Sequence, residues 1–266
     1  MIEFRPLRTK RLALTLQEIA IGDAISLAAM PASMYEAQTT RFLSSVISNA
    51  EAATPAHVTD PRAMTVQERG FIVAHYMAHV SESAPDFLIG DGGRFSNYLV
   101  GEQQNVIPTY AAGNVGGDAW TLVPLVGAAA EAIEELHGDI ENRHGKKIAG
   151  EYHWMMGSMA SQLRKKDDVA PDPVTDTAYS DWLRERMLVL SRYPESDFVQ
   201  MLVMYRQAVR ATRHFFNMDI NDDGIVFLEE VEKEAVATLP PARFPVSTCL
   251  SDFALRMGGK TTAASQ

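Results

Sequence analysis

Hydrophobic and polar residues follow a helical period along most of the chain. Residues 19–28 carry apolar side chains on one broad face before Pro31, and Ser33 is a suitable N-cap for a second amphipathic helix. Thr65 and Glu68 have the spacing of a capping box, which marks the start of a third helix. Further helices are predicted over 127–137, 148–164, 179–193, 196–217, 227–239 and 249–257. The pattern therefore favours a mainly α protein.

Two kinds of segment interrupt this period. Apolar and polar residues alternate between Ile2 and Leu16, which predicts a small β element at the N-terminus. Residues 82–118 contain seven glycines and no helical period, so we expect long Gly-rich loops with short strands hidden at 87–89 and 106–110. The resulting prediction is an N-terminal α+β region over 1–118, a helical middle region over 119–170 and a C-terminal helical region over 171–266.

Charge and cysteine content narrow the classes of function. The 266 residues include 24 Lys and Arg against 34 Asp and Glu, so the formal net charge is −10. Phosphate contacts require clustered cations, and this balance argues against a nucleic-acid-binding protein. The single cysteine, Cys249, excludes an intrachain disulfide, and a buried apolar thiol is the expected role. No apolar run approaches the roughly 20 residues of a transmembrane helix, so no membrane span is expected.

The segment 219–230, with the sequence DINDDGIVFLEE, carries the most specific chemical pattern in the chain. It resembles the twelve-residue calcium loop of an EF-hand, in which hard Ca²⁺ is bound by six to eight oxygen atoms between two helices. The oxygen ligands of such a site would come from Asp219, Asn221, Asp223, the Ile225 carbonyl and Glu230. Gly224 would permit the sharp turn of the loop.

Two features of this loop depart from the EF-hand pattern. Phe227 occupies the ninth position, where it cannot hold the usual water ligand, and the chain contains no second loop of this kind. An unpaired hand would bind weakly, pair across a homo-oligomer or pack against another element. The alternative is an acidic interhelical turn that stays empty.

Other candidate residues carry weaker signals. His75 and His79 have the i, i+4 spacing of zinc ligands on a helix, but a third ligand is not evident, so two partly buried histidines are the preferred interpretation. Acidic pairs such as Glu134 and Glu135 are interpreted as solvated helix faces. The sequence contains no recognisable catalytic set, and we therefore expect a protein that is not an enzyme.

Three blocks of the first 165 residues resemble proteins encoded in the tail-gene clusters of tailed phages and prophages. The blocks are Phe4–Leu43, Met64–Leu99 and Glu151–Leu163. The resemblance implies a tail-assembly or baseplate-hub protein, located in the virion or in the host cytoplasm during assembly. Its partners would be other tail, baseplate or tape-measure proteins, in a homo-oligomer or a hetero-assembly.

The leading hypothesis is thus a non-enzymatic structural or assembly component of a tail or baseplate, with calcium stiffening its C-terminal helix pair. One alternative is a bacterial calcium-binding regulatory protein. A second alternative is a tail-associated cell-wall hydrolase whose site the sequence does not reveal. The expected architecture is a helical protein with a small N-terminal β element, long Gly-rich loops and one EF-hand-type helix–loop–helix near the C-terminus.

Overall fold

The computed structural model describes residues 2–81, 85–89, 92–101, 104–137, 149–231, 237–244, 246 and 250–259. Its helices are α1 (Ile21–Ala28), α2 (Tyr35–Val46), α3 (Val66–Val80), α4 (Phe95–Tyr98), α5 (Gly127–Glu135), α6 (Gly150–Gln162), α7 (Tyr179–Leu190), α8 (Glu195–Ala211) and α9 (Asp252–Met257). Its strands are β1 (Leu7–Arg8), β2 (Ala13–Leu16), β3 (Ile47–Ala50), β4 (Leu88–Ile89), β5 (Gly93–Arg94), β6 (Tyr110–Val115), β7 (Asp118–Leu122), β8 (Leu163–Lys165), β9 (Asn217–Asn221) and β10 (Gly224–Leu228). None of the helices in these ranges is long and apolar enough to cross a bilayer.

The fold is mixed α and β, so the prediction of a mainly α protein with one small β element was wrong. Helices account for 42% and strands for 19%, and the strands form four small antiparallel sheets. One cause lies in the Gly-rich segment, where β6 and β7 form a hairpin closed by Gly116 and Gly117. Both glycines have positive φ, 63° and 84°, as a type I′ turn requires. Glycines that were interpreted as loop residues are therefore turn residues between strands.

Two helix starts show how local and distant caps differ. The capping box of α3 is confirmed, because Thr65 Oγ1 accepts from the Glu68 N–H at 3.1 Å and Glu68 Oε2 accepts from the Thr65 N–H at 2.9 Å. Helix α2 has no side-chain cap of its own, and its N-cap residue is not Ser33. Glu134 of α5 instead accepts from two N–H groups in the first turn of α2, at 2.9 and 3.1 Å.

Two clusters of buried apolar side chains form the core. The first joins the β1–β2–β3 sheet, helices α1 to α3 and α9, and a group of phenylalanines from distant parts of the chain. The second joins the β6–β7–β8 sheet with α5, α6, α7 and α8. Strand β10 belongs to both, because Ile225 lies in the second cluster and Phe227 in the first. Both clusters draw on the predicted regions 1–118 and 171–266, and the boundaries between those regions stay a prediction.

A buried ionic cluster lies where α2, α3 and α5 meet. Arg69 of α3 is 1% exposed, and its Nη1 lies 3.4 Å from Glu36 Oε2 and 4.0 Å from Glu131 Oε1. Its Nη2 donates to the backbone oxygen of Glu36 at 2.5 Å. Glu131 is shared, because it also accepts from Arg62 Nε at 3.1 Å and from the Thr40 hydroxyl. A guanidinium buried to this degree depends on its carboxylate partners, since an unpaired buried charge is strongly destabilising.

Gly127, the first residue of α5, leaves the space that this guanidinium fills. A Cβ at position 127 would lie 2.9 Å from Arg69 Cζ and closer still to Nη1. Real Cβ atoms do not make contacts this short, so any other residue at 127 would displace the arginine from its carboxylates.

We expect Gly127→Ala to lower the free energy of unfolding by about 2 kcal/mol, because one added methyl overpacks the ionic cluster. Gly22→Ala is the matched control, since the site of its Cβ on α1 has no atom within 4 Å. That control should leave stability unchanged or raise it by up to about 1 kcal/mol, owing to the better helix propensity of alanine. Urea denaturation of both variants measures the difference, and equal stabilities would show that Arg69 does not need the space beside Gly127.

The Glu134 carboxyl that caps α2 titrates near neutrality. Glu134 is 8% exposed, and this burial raises the pKa of its carboxyl group from 4.5 to about 7. The hydrogen bonds from the Glu36 and Ala37 N–H groups act in the opposite direction, because they favour the charged form. The folded protein therefore retains a proton that the unfolded chain releases at lower pH. The interpretation of Glu134 as part of a solvated face is wrong, whereas its neighbour Glu135 is exposed.

We expect the stability of the wild type relative to Glu134→Gln to fall as pH rises from 4.5 to above 7. A pKa raised from 4.5 to about 7 stabilises the fold only while the folded state holds the proton, and the full change amounts to about 3 kcal/mol. Urea denaturation at several pH values from 4.5 to 8 measures it. Glu135→Gln should track the wild type at every pH. A parallel stability profile for Glu134→Gln would refute the raised pKa.

Candidate functional site

The predicted calcium loop forms a β-hairpin. Strands β9 and β10 pair antiparallel, with Asn221 opposite Gly224 and Asp219 opposite Val226. Helix α8 ends at Ala211, before the motif begins, and the segment predicted as the following helix starts as strand β10. The prediction of an EF-hand-type helix–loop–helix was therefore wrong. Residues 232–236 of the predicted second helix lie outside the described residues, as does Cys249.

The residues from Asn221 to Gly224 suit a hairpin turn as well as a calcium loop. Asn221 Oδ1 accepts from the Asp223 N–H at 3.0 Å, which is an Asx turn. Gly224 has a φ of 121°, and a Cβ there would lie 2.8 Å from the Trp154 ring. Asn, Asp and Gly recur in both motifs because both need a tight turn. The β-branched residues on either side, such as Ile220 and Ile225, favour strands and decide the outcome.

The acidic turn caps a helix. Asp222 Oδ1 accepts from the Glu151 N–H at 3.0 Å, at the start of α6, which has no side-chain cap of its own. Gly150 permits this contact, because a Cβ there would lie 2.8 Å from the Asp222 carbonyl carbon. A carboxylate near a helix N-terminus is stabilised by the free N–H groups and the helix dipole. At least one acidic residue of the motif therefore has a structural role.

The carbonyl group that the motif assigns to calcium already accepts a hydrogen bond. Arg243 Nε donates to the Ile225 oxygen at 2.8 Å, and Nη2 donates to the Asp223 oxygen. The same guanidinium stacks over Tyr35, with 4.8 Å from Cζ to the ring centroid. An arginine therefore provides positive charge at this end of the hairpin.

The remaining ligand candidates are also engaged within the hairpin. Asp219 Oδ1 accepts from the Ile220 N–H at 2.9 Å. The Glu230 carboxylate accepts from Asn217 Nδ2 and lies 3.8 Å from Arg213 Nη2. Among the described residues, no three His, Cys, Asp or Glu side chains are grouped so that they could hold a metal ion. Calcium binding by Asp219, Asn221, Asp223, Ile225 and Glu230 stays a prediction.

A groove of about 430 Å³ lies between α8 and the hairpin. Its apolar lining comes from Met155, Val209, Met218, Ile220, Leu228, Val231, Leu239 and Pro241. Its charged lining comes from Arg206, Arg210, Arg213, Asp219 and Glu229. This volume lies within the range of ligand pockets, and apolar walls with a few charged groups suit an amphipathic occupant.

The charged side chains around the groove differ in whether they have hydrogen-bond or ion-pair partners. Glu229 accepts from the backbone N–H groups of Thr238 and Leu239 at 2.6 and 2.9 Å, and these hydrogen bonds lower its pKa. Arg206 and Arg210 are exposed, and neither forms an ion pair within the described part of the chain. Among the charged rim residues that the structure describes, the two arginines are therefore the cations without an ion-pair partner.

His75 and His79 bind the backbone of a single residue. His75 Nε2 lies 2.8 Å from the Arg5 carbonyl oxygen, and the Arg5 N–H donates to His79 Nε2 at 3.2 Å. His79 Nδ1 in turn lies 2.8 Å from the His75 carbonyl oxygen. Both side chains are half-buried, and burial lowers the pKa of His75. The two rings thus fasten the N-terminal segment to α3.

Sequence reasoning missed a buried hydroxyl–imidazole pair. Thr65 Oγ1 lies 2.7 Å from His214 Nε2, and His214 Nδ1 lies 3.3 Å from the Thr212 carbonyl oxygen. Burial lowers the pKa of His214 to about 4, so the imidazole is neutral at physiological pH. Similar pairs activate nucleophiles, but Thr65 is fully buried and caps α3. Its 149-residue separation from His214 left no local signal in the sequence.

No family model, no curated protein and no solved structure matches this chain. The groove, the hairpin and the surface of α8 are therefore the features of the molecule that bear on its function.

Calcium titration calorimetry tests the motif directly. If the five oxygen donors form a site, heat should saturate near one ion per chain at millimolar calcium and vanish in both Asp219→Ala and Glu230→Ala. Asp181→Ala, which removes an exposed carboxylate of α7 outside the motif, should retain the heat. The absence of binding heat up to about 5 mM calcium would reject the site.

Proposed function

We propose that this chain is a non-enzymatic structural or assembly component of a phage or prophage tail or baseplate, which acts through protein contacts. The observation that carries the contact role is the groove of about 430 Å³ between α8 and the hairpin. The resemblance of Phe4–Leu43, Met64–Leu99 and Glu151–Leu163 supplies the tail context.

The groove has the composition of a protein-docking site. Its lining includes methionine, leucine, valine and isoleucine side chains, and methionine adapts readily to different occupants. Binding energy in protein interfaces concentrates where an apolar anchor fills such a pocket and excludes water. Arg206 and Arg210 on the rim would orient an acidic segment beside that anchor. The occupant that this arrangement fits best is an apolar side chain of a partner protein, flanked by carboxylates.

Particle composition tests the proposal. We expect the chain to copurify with assembled tails at a fixed stoichiometry, or its deletion to abolish tail assembly. Val209→Trp, which fills the groove, should lower incorporation or tail yield by about tenfold or more. Val169→Trp is the control, because Val169 is 91% exposed and does not line the groove.

Quantitative mass spectrometry of purified tails, together with counts of intact tails, provides the readout. Absence of the chain from tails combined with normal assembly in its deletion would reject the tail role. Normal incorporation of Val209→Trp would reject the groove as the docking site.

A further inference from the structure

Helix α8 carries an exposed stripe in addition to its buried face. Its inward residues are Met201, Met204, Tyr205 and Ala208, all of which belong to the second core cluster. On the opposite side, Val199, Val203, Arg206 and Arg210 follow the spacing i, i+4, i+7 and i+11, which places them in one line along the helix. All four are exposed, and Val199 and Val203 are 50% and 52% exposed.

Valine is an unusual choice for exposed positions of a helix. It is a weaker helix former than alanine, leucine, lysine or glutamate, because the preceding turn restricts its χ1. Two exposed valines one turn apart therefore do not serve the helix itself. They provide exposed apolar surface in the N-terminal half of the stripe.

The charges of α8 are segregated along its length. Glu195 lies at the N-terminal end, and Arg206 and Arg210 lie near the C-terminal end. Within the described residues none of these three side chains forms an ion pair. A helix with an acidic start, an apolar middle and a basic end is complementary to its own reverse copy.

We infer that α8 is the contact surface of a homodimer in which two copies of this helix pack antiparallel about a two-fold axis. With the axis beside Leu202 and Val203, Glu195 of each copy faces Arg210 of the other. These two residues are 15 positions apart, which corresponds to about 22 Å along a helix. Each pairing occurs twice, as in any isologous interface. Antiparallel packing also opposes the two helix dipoles favourably.

Along the full length of the exposed stripe, outside the groove, the self-complementary pattern favours a second copy over an acidic partner. An acidic partner would be attracted by Arg206 and Arg210 but repelled by Glu195, whereas a reversed copy satisfies both ends. The net charge of −10 opposes association, but charges separated by more than about 8 Å are largely screened at physiological ionic strength. Val203 of each copy lies beside the axis, opposite Leu202, whereas Val199 lies opposite Arg206 of the other copy, so the apolar centre is small and the dimer belongs to the weak class of interfaces.

The proposed dimer extends the proposed contact function, and it rests on that function only in assuming that this surface serves protein contacts. A monomeric chain in solution would reject the dimer and leave the tail experiments unaffected.

Sedimentation velocity from about 1 to 200 µM protein tests the dimer, since weak interfaces fall in this range of dissociation constants. We expect concentration-dependent dimerisation. Glu195→Arg and Arg210→Glu should each raise the dissociation constant by about tenfold, because each change places like charges at both ends of the interface. The double variant Glu195→Arg with Arg210→Glu restores both pairings and should return the constant to within about threefold of the wild type.

Oxidative crosslinking tests the axis independently, in a Cys249→Ser background. Val203→Cys should form a dimer-spanning disulfide, because residue 203 lies beside the two-fold axis. Gln200→Cys, which is also exposed on α8 but lies off the stripe, should crosslink much less. A monomer at 200 µM would overturn the inference, as would failure of the double charge reversal to restore association. Circular dichroism of each variant verifies that these surface changes leave the fold intact.

Discussion

The position of one buried cation constrains three helices at once. Arg69 has almost no contact with solvent, so its charge must be balanced inside the protein by Glu36 and Glu131. Those carboxylates belong to α2 and α5, while the arginine belongs to α3. A shift of any one helix would leave a charge buried without its partner, which costs far more than a lost apolar contact. The three helices must therefore take up their relative positions together, because none of them can move without separating the charges.

The β9–β10 hairpin packs next to the buried ionic cluster. A small cavity of about 20 Å³ is lined by Glu36 and Arg69 together with Ile225 and Phe227 of β10. The other end of the hairpin caps α6 through Asp222. Strand β10 contributes to both core clusters, so the hairpin fixes one cluster against the other. The acidic turn of the hairpin therefore has a structural role that does not depend on a bound ion.

The sequence predicts best where the information is local. The capping box of Thr65 and Glu68 involves residues three positions apart, and the structure forms it as predicted. The cap of α2 by Glu134 spans 98 residues, and nothing near Ser33 signals it. Glu134 and Glu135 are adjacent and chemically identical, yet only one is buried, because burial depends on which side of α5 faces α2.

The candidate site illustrates a different limit. The residues from Asn221 to Gly224 satisfy the turn chemistry of a calcium loop and of a hairpin equally well, so composition alone could not choose between them. The choice came from strand pairing, in which Ile220 lies opposite Ile225. The groove could not be predicted from the sequence either, because its walls come from α6, α8 and the hairpin, which are separated in sequence.

Helix α8 links the groove to the proposed dimer. Its inner face packs on the second core cluster, and Arg206 and Arg210 belong both to the groove rim and to the exposed stripe. An acidic occupant of the groove and Glu195 of a second copy would therefore compete for the guanidinium group of Arg210. Because linkage is reciprocal, an occupant that weakens the dimer must itself bind less tightly to the dimer, by the same factor. If both proposals hold, docking in the groove and self-association through α8 would be coupled by Arg210, and filling one surface would favour release of the other.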